Sequence, residues 1–177
     1  MTIIKLYNDN NQANNSFLID KNLLEQVKSL SLLQPIIALD IGLKRIGVAT
    51  CDPHHIAITP TAIIKRESLL KDCTKIIDIM IAKNIFLVVV GMPFAETNIA
   101  NHILDFSNFL HRQILAEIKS ANLILINEDL SSFEARRINR ENFYLHRQKK
   151  YQKQHKFYDD IASAVILQYF FEILGEQ

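Results

Sequence analysis

An α/β fold built on a mixed sheet is what this 177-residue chain predicts, and three observations predict it. Two apolar runs, Ile36–Leu39 and Ile46–Ala49, flank a turn that contains Gly42, as a hairpin requires. Two further runs, Phe86–Val90 and Leu123–Ile126, are continuous rather than alternating, the pattern of strands buried on both faces. Between and after them apolar residues recur at three-to-four spacing, the period of helices that cover a sheet with one face. The length suits one domain with a complete core and is short for two domains of ordinary size.

In chain order, residues 1–34 read as an N-terminal extension, with an Asn-rich stretch from Asn8 to Asn15 and a short helix face at Leu23, Leu24, Val27 and Leu30 before Pro35. Residues 35–177 form the main domain. After the 36–50 hairpin, Ile56–Ile64 is a third extended segment, and Pro60 within it points to an edge or irregular strand. Leu69, Leu70, Cys73, Ile76, Ile77, Met80 and Ile81 mark a helix; Ile99, Ile103, Phe106, Leu110 and Ile114 mark another. Ser131 or Ser132 can cap a following helix with Glu134 and Ala135 in its first turn, and Tyr158–Leu174 reads as a last, largely apolar helix. The expected sheet has five strands, three antiparallel in front and two parallel behind.

Composition excludes several classes. Apolar residues make up 49% and charged residues 22%, as in ordinary globular domains, which argues against disorder and fibrous structure. No apolar stretch approaches the roughly 18 residues of a membrane span, and the N-terminus lacks the apolar segment of a secretory signal, so a cytoplasmic location and no membrane partner are expected. Cys51 and Cys73 are too few and too far apart for a disulfide framework or a thiolate zinc site, and both are expected reduced and buried. His54, His55, His102, His111, His146 and His155 show no ligand spacing. The net charge of +1 conceals an asymmetry: residues 136–156 hold eight of the 20 basic residues and one acid, Glu141. Arg136, Arg137, Arg140, Arg147, Lys149, Lys150, Lys153 and Lys156 are interleaved there with Phe143, Tyr144, Tyr151 and Phe157, a mixture suited to phosphate backbones or, more plainly, to a solvated helix end and loop.

Three acids fall where chemistry can collect. Asp40 ends the first hairpin strand, Glu128 follows the 123–126 strand, and Asp159 opens the last helix. In an open α/β sheet, sites lie beyond the carboxyl ends of parallel strands, and these three positions can converge there. Asp40 alone reads equally as a turn-capping side chain; Asp159 reads also as a helix cap or dipole partner. Gathered in one pocket, ionised acids need a cation, and oxygen donors without His or Cys favour Mg2+ or Mn2+ over zinc. Such a centre suits phosphodiester hydrolysis.

The motifs themselves resemble a known family. Leu39-Asp-Ile-Gly-Leu-Lys-Arg-Ile-Gly-Val-Ala49, Val89-Val-Gly-Met-Pro93, Asn127-Glu-Asp-Leu-Ser-Ser132 and Asp159-Asp-Ile-Ala-Ser-Ala164 through Leu167-Gln168 are similar to successive motifs of the RuvX/YqgF proteins, RNase H-like relatives of Holliday-junction resolvases regarded as nucleases of pre-16S rRNA. The resemblance covers about residues 36–172. It implies an RNase H-like mixed five-stranded sheet flanked by helices, and an endonuclease that processes the 5' end of pre-16S rRNA in ribosome biogenesis. It implies Asp40, Glu128 and Asp159 as catalytic and metal-binding residues, with Asp160 the rival of Asp159. Lys44 and Arg45, which read equally as solvated side chains on a hairpin arm, and the basic residues from Arg136 to Lys153 are the expected nucleic-acid contacts. Implied partners are structured precursor RNA, branched DNA as the rival substrate, and ribosome assembly intermediates, for a monomer or weak homodimer.

Departures accompany the matches. Asn127 stands where the family has Asp, Asp129 where it has Arg, and Phe94–Asn98 lacks a glycine common in the family loop. The Asn127 and Asp129 departures keep open a catalytically silent RNA-binding assembly factor, and a resolvase-like DNA nuclease stays open because the same site chemistry cuts either nucleic acid. Actin-like ATPases use a similar Asp-x-Gly turn, but they need two such domains, and this chain offers one.

Overall fold

The computed structural model describes residues 3–6, 21–93, 98–118, 120–128 and 158–175. In chain order these are β1 (Ile4–Leu6), α1 (Lys21–Ser31), β2 (Ile36–Ile41), β3 (Arg45–Cys51), β4 (Ile58–Lys65), α2 (Leu69–Ala82), β5 (Leu87–Pro93), α3 (Asn98–Glu117), β6 (Asn122–Glu128) and α4 (Tyr158–Leu174). The sheet order is β1-β6-β5-β2-β3-β4. β2, β3 and β4 are antiparallel neighbours, while β1, β6, β5 and β2 run parallel.

The sheet therefore has six strands where the sequence led us to expect five. The added strand comes from the N-terminal extension: Ile4, Lys5 and Leu6 pair with Ile124, Leu125 and Ile126 at the β6 edge, and Leu6 is buried. A three-residue strand is too short to display a period, and an Asn-rich stretch follows it, so nothing in the local pattern marks it. The extension also supplies α1, whose Val27 is buried in the same layer as Leu6.

Alternation along the strands divides the core in two. Ile37, Leu39, Val88, Val90, Leu123 and Leu125 face α2 and α3, packing with Cys73, Ile76, Met80, Phe106 and Leu110. Ile36, Ala38, Leu87, Val89, Ile124 and Ile126 face the other way, onto Ile166, Leu167 and Phe170 of α4. Every one of these strand residues is essentially inaccessible to water, which is why β5 and β6 are continuous apolar runs. Each such side chain contributes about 1.5–3 kcal/mol by burial, so a single charge introduced at Val88 or Val89 would disrupt a whole layer.

The helices start and stop for local reasons. Ser68 caps α2, its side chain accepting the Lys71 N–H at 3.3 Å. After α2, Asn84 takes a left-handed conformation (φ 55°), a common helix-ending geometry, and the chain turns directly into β5. β4 is an edge strand with Pro60 in it and a register shift opposite Val48 and Ala49, as the proline led us to expect. Cys51 and Cys73 are buried and unpaired with one another. The helix expected after Ser131 and the whole basic segment, Arg136 to Lys156, lie outside the described residues.

Candidate active site

The β2–β3 hairpin sets one end of the sheet. Asp40 pairs with Gly47 and is half-buried; Ile41 pairs with Ile46, and the chain reverses through Gly42-Leu43-Lys44. The Gly42 N–H donates to the Arg45 carbonyl at 3.0 Å. A Cβ at position 42 would stand 2.9 Å from that same carbonyl oxygen, so close approach of backbone requires glycine here.

Parallel pairing then aligns the neighbouring strands. Leu39, Val90 and Leu125 stand side by side on β2, β5 and β6. Asp40 lies one residue beyond this row, and Glu128 three residues beyond it, in register with Pro93 as the last residue of β6. Two strand spacings and two residues of rise put their backbones about 12 Å apart at the carboxyl ends of the parallel strands.

α4 reaches the same end. Near its C-terminus, the Phe171 ring stacks on His55 at a centroid distance of 4.6 Å, and His55 Nε2 lies 3.2 Å from the Gln34 carbonyl. Gln34 precedes β2, so the last turns of α4 sit at the amino end of the parallel strands. Seventeen residues of helix span about 25 Å, which carries its first turn, with Asp159 and Asp160, to the opposite end of the sheet. Asp40, Glu128 and Asp159 are thus brought to one end by three different elements. Lys44 is exposed in the hairpin turn, and Arg45 is exposed at the start of β3.

Behind the turn, on the α2 and α3 side, stands a group of residues that sequence reasoning missed. Arg66 Nη1 donates to the Gly42 carbonyl at 3.2 Å and also contacts His102 Nε2. Arg66 Nε donates to Asp72 Oδ2 at 3.2 Å, and the guanidinium lies 4.8 Å from the Phe106 ring centroid. Asp72, 1% exposed, takes the Glu67 N–H on its other oxygen at 3.0 Å. The Arg66 N–H donates to the Lys44 carbonyl at 3.1 Å. One cation thereby ties the site hairpin to α2 and α3 from below. Arg66 falls in a connection and His102 on a helix flank, so no periodicity could have singled them out.

The donor chemistry at the carboxyl end is oxygen. Among the described residues no group of three His, Cys, Asp or Glu side chains is gathered. His54 and His55 lie at the far end of the sheet, Cys73 is buried in the α2 layer, and His102 adjoins a guanidinium, a poor setting for a metal ligand. A carboxylate such as that of Asp40 suits a hard divalent cation rather than zinc.

Comparison with known proteins now bears on the arrangement. The model of the family described as "RuvX: Holliday junction resolvase" matches residues 34–173. The chain belongs to the RuvX family. Among its curated relatives, an Ehrlichia canis protein named "Putative pre-16S rRNA nuclease" is 28% identical over 157 residues, covering 89% of this chain and 97% of its own length. A Picosynechococcus protein of the same name is 33% identical over 144 residues, with 79% and 94% covered. Among solved structures, Thermus thermophilus RuvC in complex with a Holliday junction substrate superposes with a TM-score of 0.54 at 10% identity, covering 81% of this chain and 97% of that one. At that identity the likeness shows the fold, which is the resolvase type of the RNase H-like class. RuvX membership makes the chain, by class, a hydrolase of phosphodiester bonds. Among the described residues no helix is long and apolar enough to cross a membrane.

Proposed function

We propose that this RuvX protein is a divalent-metal-dependent endonuclease that trims the 5' end of precursor 16S rRNA during ribosome assembly in the cytoplasm. The observation that carries the reading is Asp40, half-buried at the carboxyl end of β2, on the same sheet end as Glu128 and the start of α4. Asp40, Glu128 and Asp159 would hold Mg2+ or Mn2+. When bound, the ions lower the pKa of an attacking water and neutralise charge on the leaving oxygen. The chain's own part is to fix the acids on three rigid elements and to grip phosphate: Lys44 and Arg45 flank Asp40, and Arg136, Arg137, Arg140, Arg147, Lys149, Lys150 and Lys153 supply the longer-range attraction. Contacts of that kind are largely independent of base sequence and weaken steeply with salt. Supporting the choice of RNA is the name borne by the curated relatives.

The test is cleavage of a precursor 16S 5' fragment and, in parallel, of a four-way DNA junction, with Mg2+ or Mn2+, by the wild type and Asp40→Asn. RNA cutting that needs the metal and is lost in Asp40→Asn is the expected result. Junction cutting alone would transfer the reading to a resolvase, and binding of either substrate without cutting would make the protein a silent assembly factor.

A further inference from the structure

Beside the hairpin turn the edge strand β4 carries an open surface groove of about 890 Å³, lined by Pro60, Thr61, Ala62 and Ile63 together with Lys44, Arg45 and Lys65. Arg45 and Lys65 are directly paired across β3 and β4. By strand alternation Arg45 shares the face of Gly47, the pairing partner of Asp40, while Ile46 and Ile64 point into the opposite core layer with α2. A row therefore leads from Asp40 across β3 to Lys65 at the sheet edge, on one face, over two strand spacings and two residues of rise, about 12 Å.

Two features say what could lie in the groove. Three lysines elsewhere in the described chain are engaged by acids: Lys71 and Lys75 contact Glu67, and Lys28 contacts Glu25. Among the described residues neither Lys44 nor Lys65 has an acidic partner. The groove also presents no aromatic ring and no amide side chain, so it can neither stack a base nor read a base edge. What it can recognise is repeated negative charge.

Resting on the nuclease reading above, we propose that the β4 edge groove seats the phosphate backbone of the RNA strand being cut, with Lys65 contacting a phosphate about 12 Å from the one at Asp40. The groove sets register along the strand without sequence preference.

The experiment measures binding without cleavage. Fluorescence anisotropy with a labelled RNA hairpin bearing a single-stranded 5' extension, in EDTA, gives Kd across a salt series for full-length wild type, Lys65→Gln, Lys65→Arg and, as a distant control just beyond α2, Lys83→Gln. Removing one phosphate contact from single-stranded RNA lowers the slope of log K against log salt by about 0.7, and from a duplex by about 0.9. Lys65→Gln should show that loss and weaker binding, Lys65→Arg should restore both, and Lys83→Gln should leave both unchanged. A slope unchanged in Lys65→Gln, or lowered equally in Lys83→Gln, overturns the proposal. The two readings fail separately: an intact Lys65 effect without any Asp40-dependent cutting removes the nuclease and leaves the groove, while Asp40-dependent cutting with an unaltered slope does the reverse. A labelled four-way DNA junction run alongside separates the strand types. A Lys65 effect on the junction but not on the RNA would refute RNA as the occupant.

Discussion

Removing Asp72 should cost this fold more than removing any surface charge, because Asp72 is 1% exposed and the Arg66 side chain it holds is 12% exposed. With Asp72→Ala, the guanidinium stays buried against Phe106 with only the Gly42 carbonyl and His102 as neighbours, and the Glu67 N–H loses its acceptor. Breaking one side of a buried pair costs about 3–5 kcal/mol, chiefly through the stranded charge. For a chain of this length each kcal/mol lowers Tm by about 2–4 °C, so a fall on the order of 10 °C is expected. Arg66→Met should cost a similar amount, since it strands the carboxylate. The double variant should be less damaging than the sum, with a coupling of about 2 kcal/mol or more, because it strands neither. Chemical denaturation of the four proteins at pH 7 measures the cycle. Singles within about 0.5 kcal/mol of wild type that simply add would refute the claim that this pair is what ties the hairpin to α2. By contrast the Lys71–Glu67 and Lys75–Glu67 pairs are exposed and screened by solvent, and their removal should leave stability nearly unchanged, even though hydrogen bonds from Lys75 and then Lys71 hold the Glu67 carboxyl down to about 2.

Gly42→Ala should lower stability by about 1–3 kcal/mol, since a Cβ 2.9 Å from the Arg45 carbonyl forces backbone to move, and calorimetry should show the matching drop in Tm. The same variant should lose cleavage activity disproportionately if Asp40 acts as proposed, because the displaced turn begins two residues after it. Stability should also fall on the acid side through His111, which is buried without a hydrogen-bond partner for Nε2 among the described residues. Burial lowers its pKa below the ordinary value, so the unfolded chain binds the proton first; stability is full above about pH 6.5 and declines below it, by at most about 1.4 kcal/mol per pH unit. Urea unfolding of His111→Phe between pH 5 and pH 7 should show that slope reduced by up to one proton, and an unchanged slope would refute the assignment.

How much of this could be read from the sequence depends on whether a residue's role is periodic or positional. β5 and β6 were legible because burial on both faces leaves an uninterrupted apolar run, and the helices α2 and α3 because one-sided packing repeats every three to four residues. The edge position of β4 was legible from one residue, Pro60, whose missing N–H suits a strand with an unpaired side. Asp40 stood out through the Asp-x-Gly turn, and its end of the sheet followed from strand direction. β1 was not legible, because three residues cannot show a period and their burial depends on β6, more than 100 positions away. Nor was the Arg66 group, whose four side-chain contacts come from the hairpin, α2 and α3, and whose meeting is a product of topology alone.

The hairpin carries a second acid that sharpens the argument for the first. Asp52 follows β3 at the far end of the sheet, where its carboxylate accepts the N–H groups of Ala57 and His54 and so closes the β3–β4 turn. Those bonds, that from Ala57 foremost, hold its carboxyl below the usual range although it is partly exposed to solvent. An acid so employed stabilises a turn, and at that end the parallel strands begin rather than end. Asp40 sits on the same hairpin at the opposite end, where β2, β5 and β6 all present their carboxyl termini and where the first turn of α4 arrives. The loops that leave β2, β5 and β6 gather at that end, where sites of open α/β sheets collect, so an acid there can share a ligand with residues from other strands. The direction of three strands, more than the presence of a carboxylate, is therefore what separates a candidate for chemistry from a turn cap on one and the same hairpin.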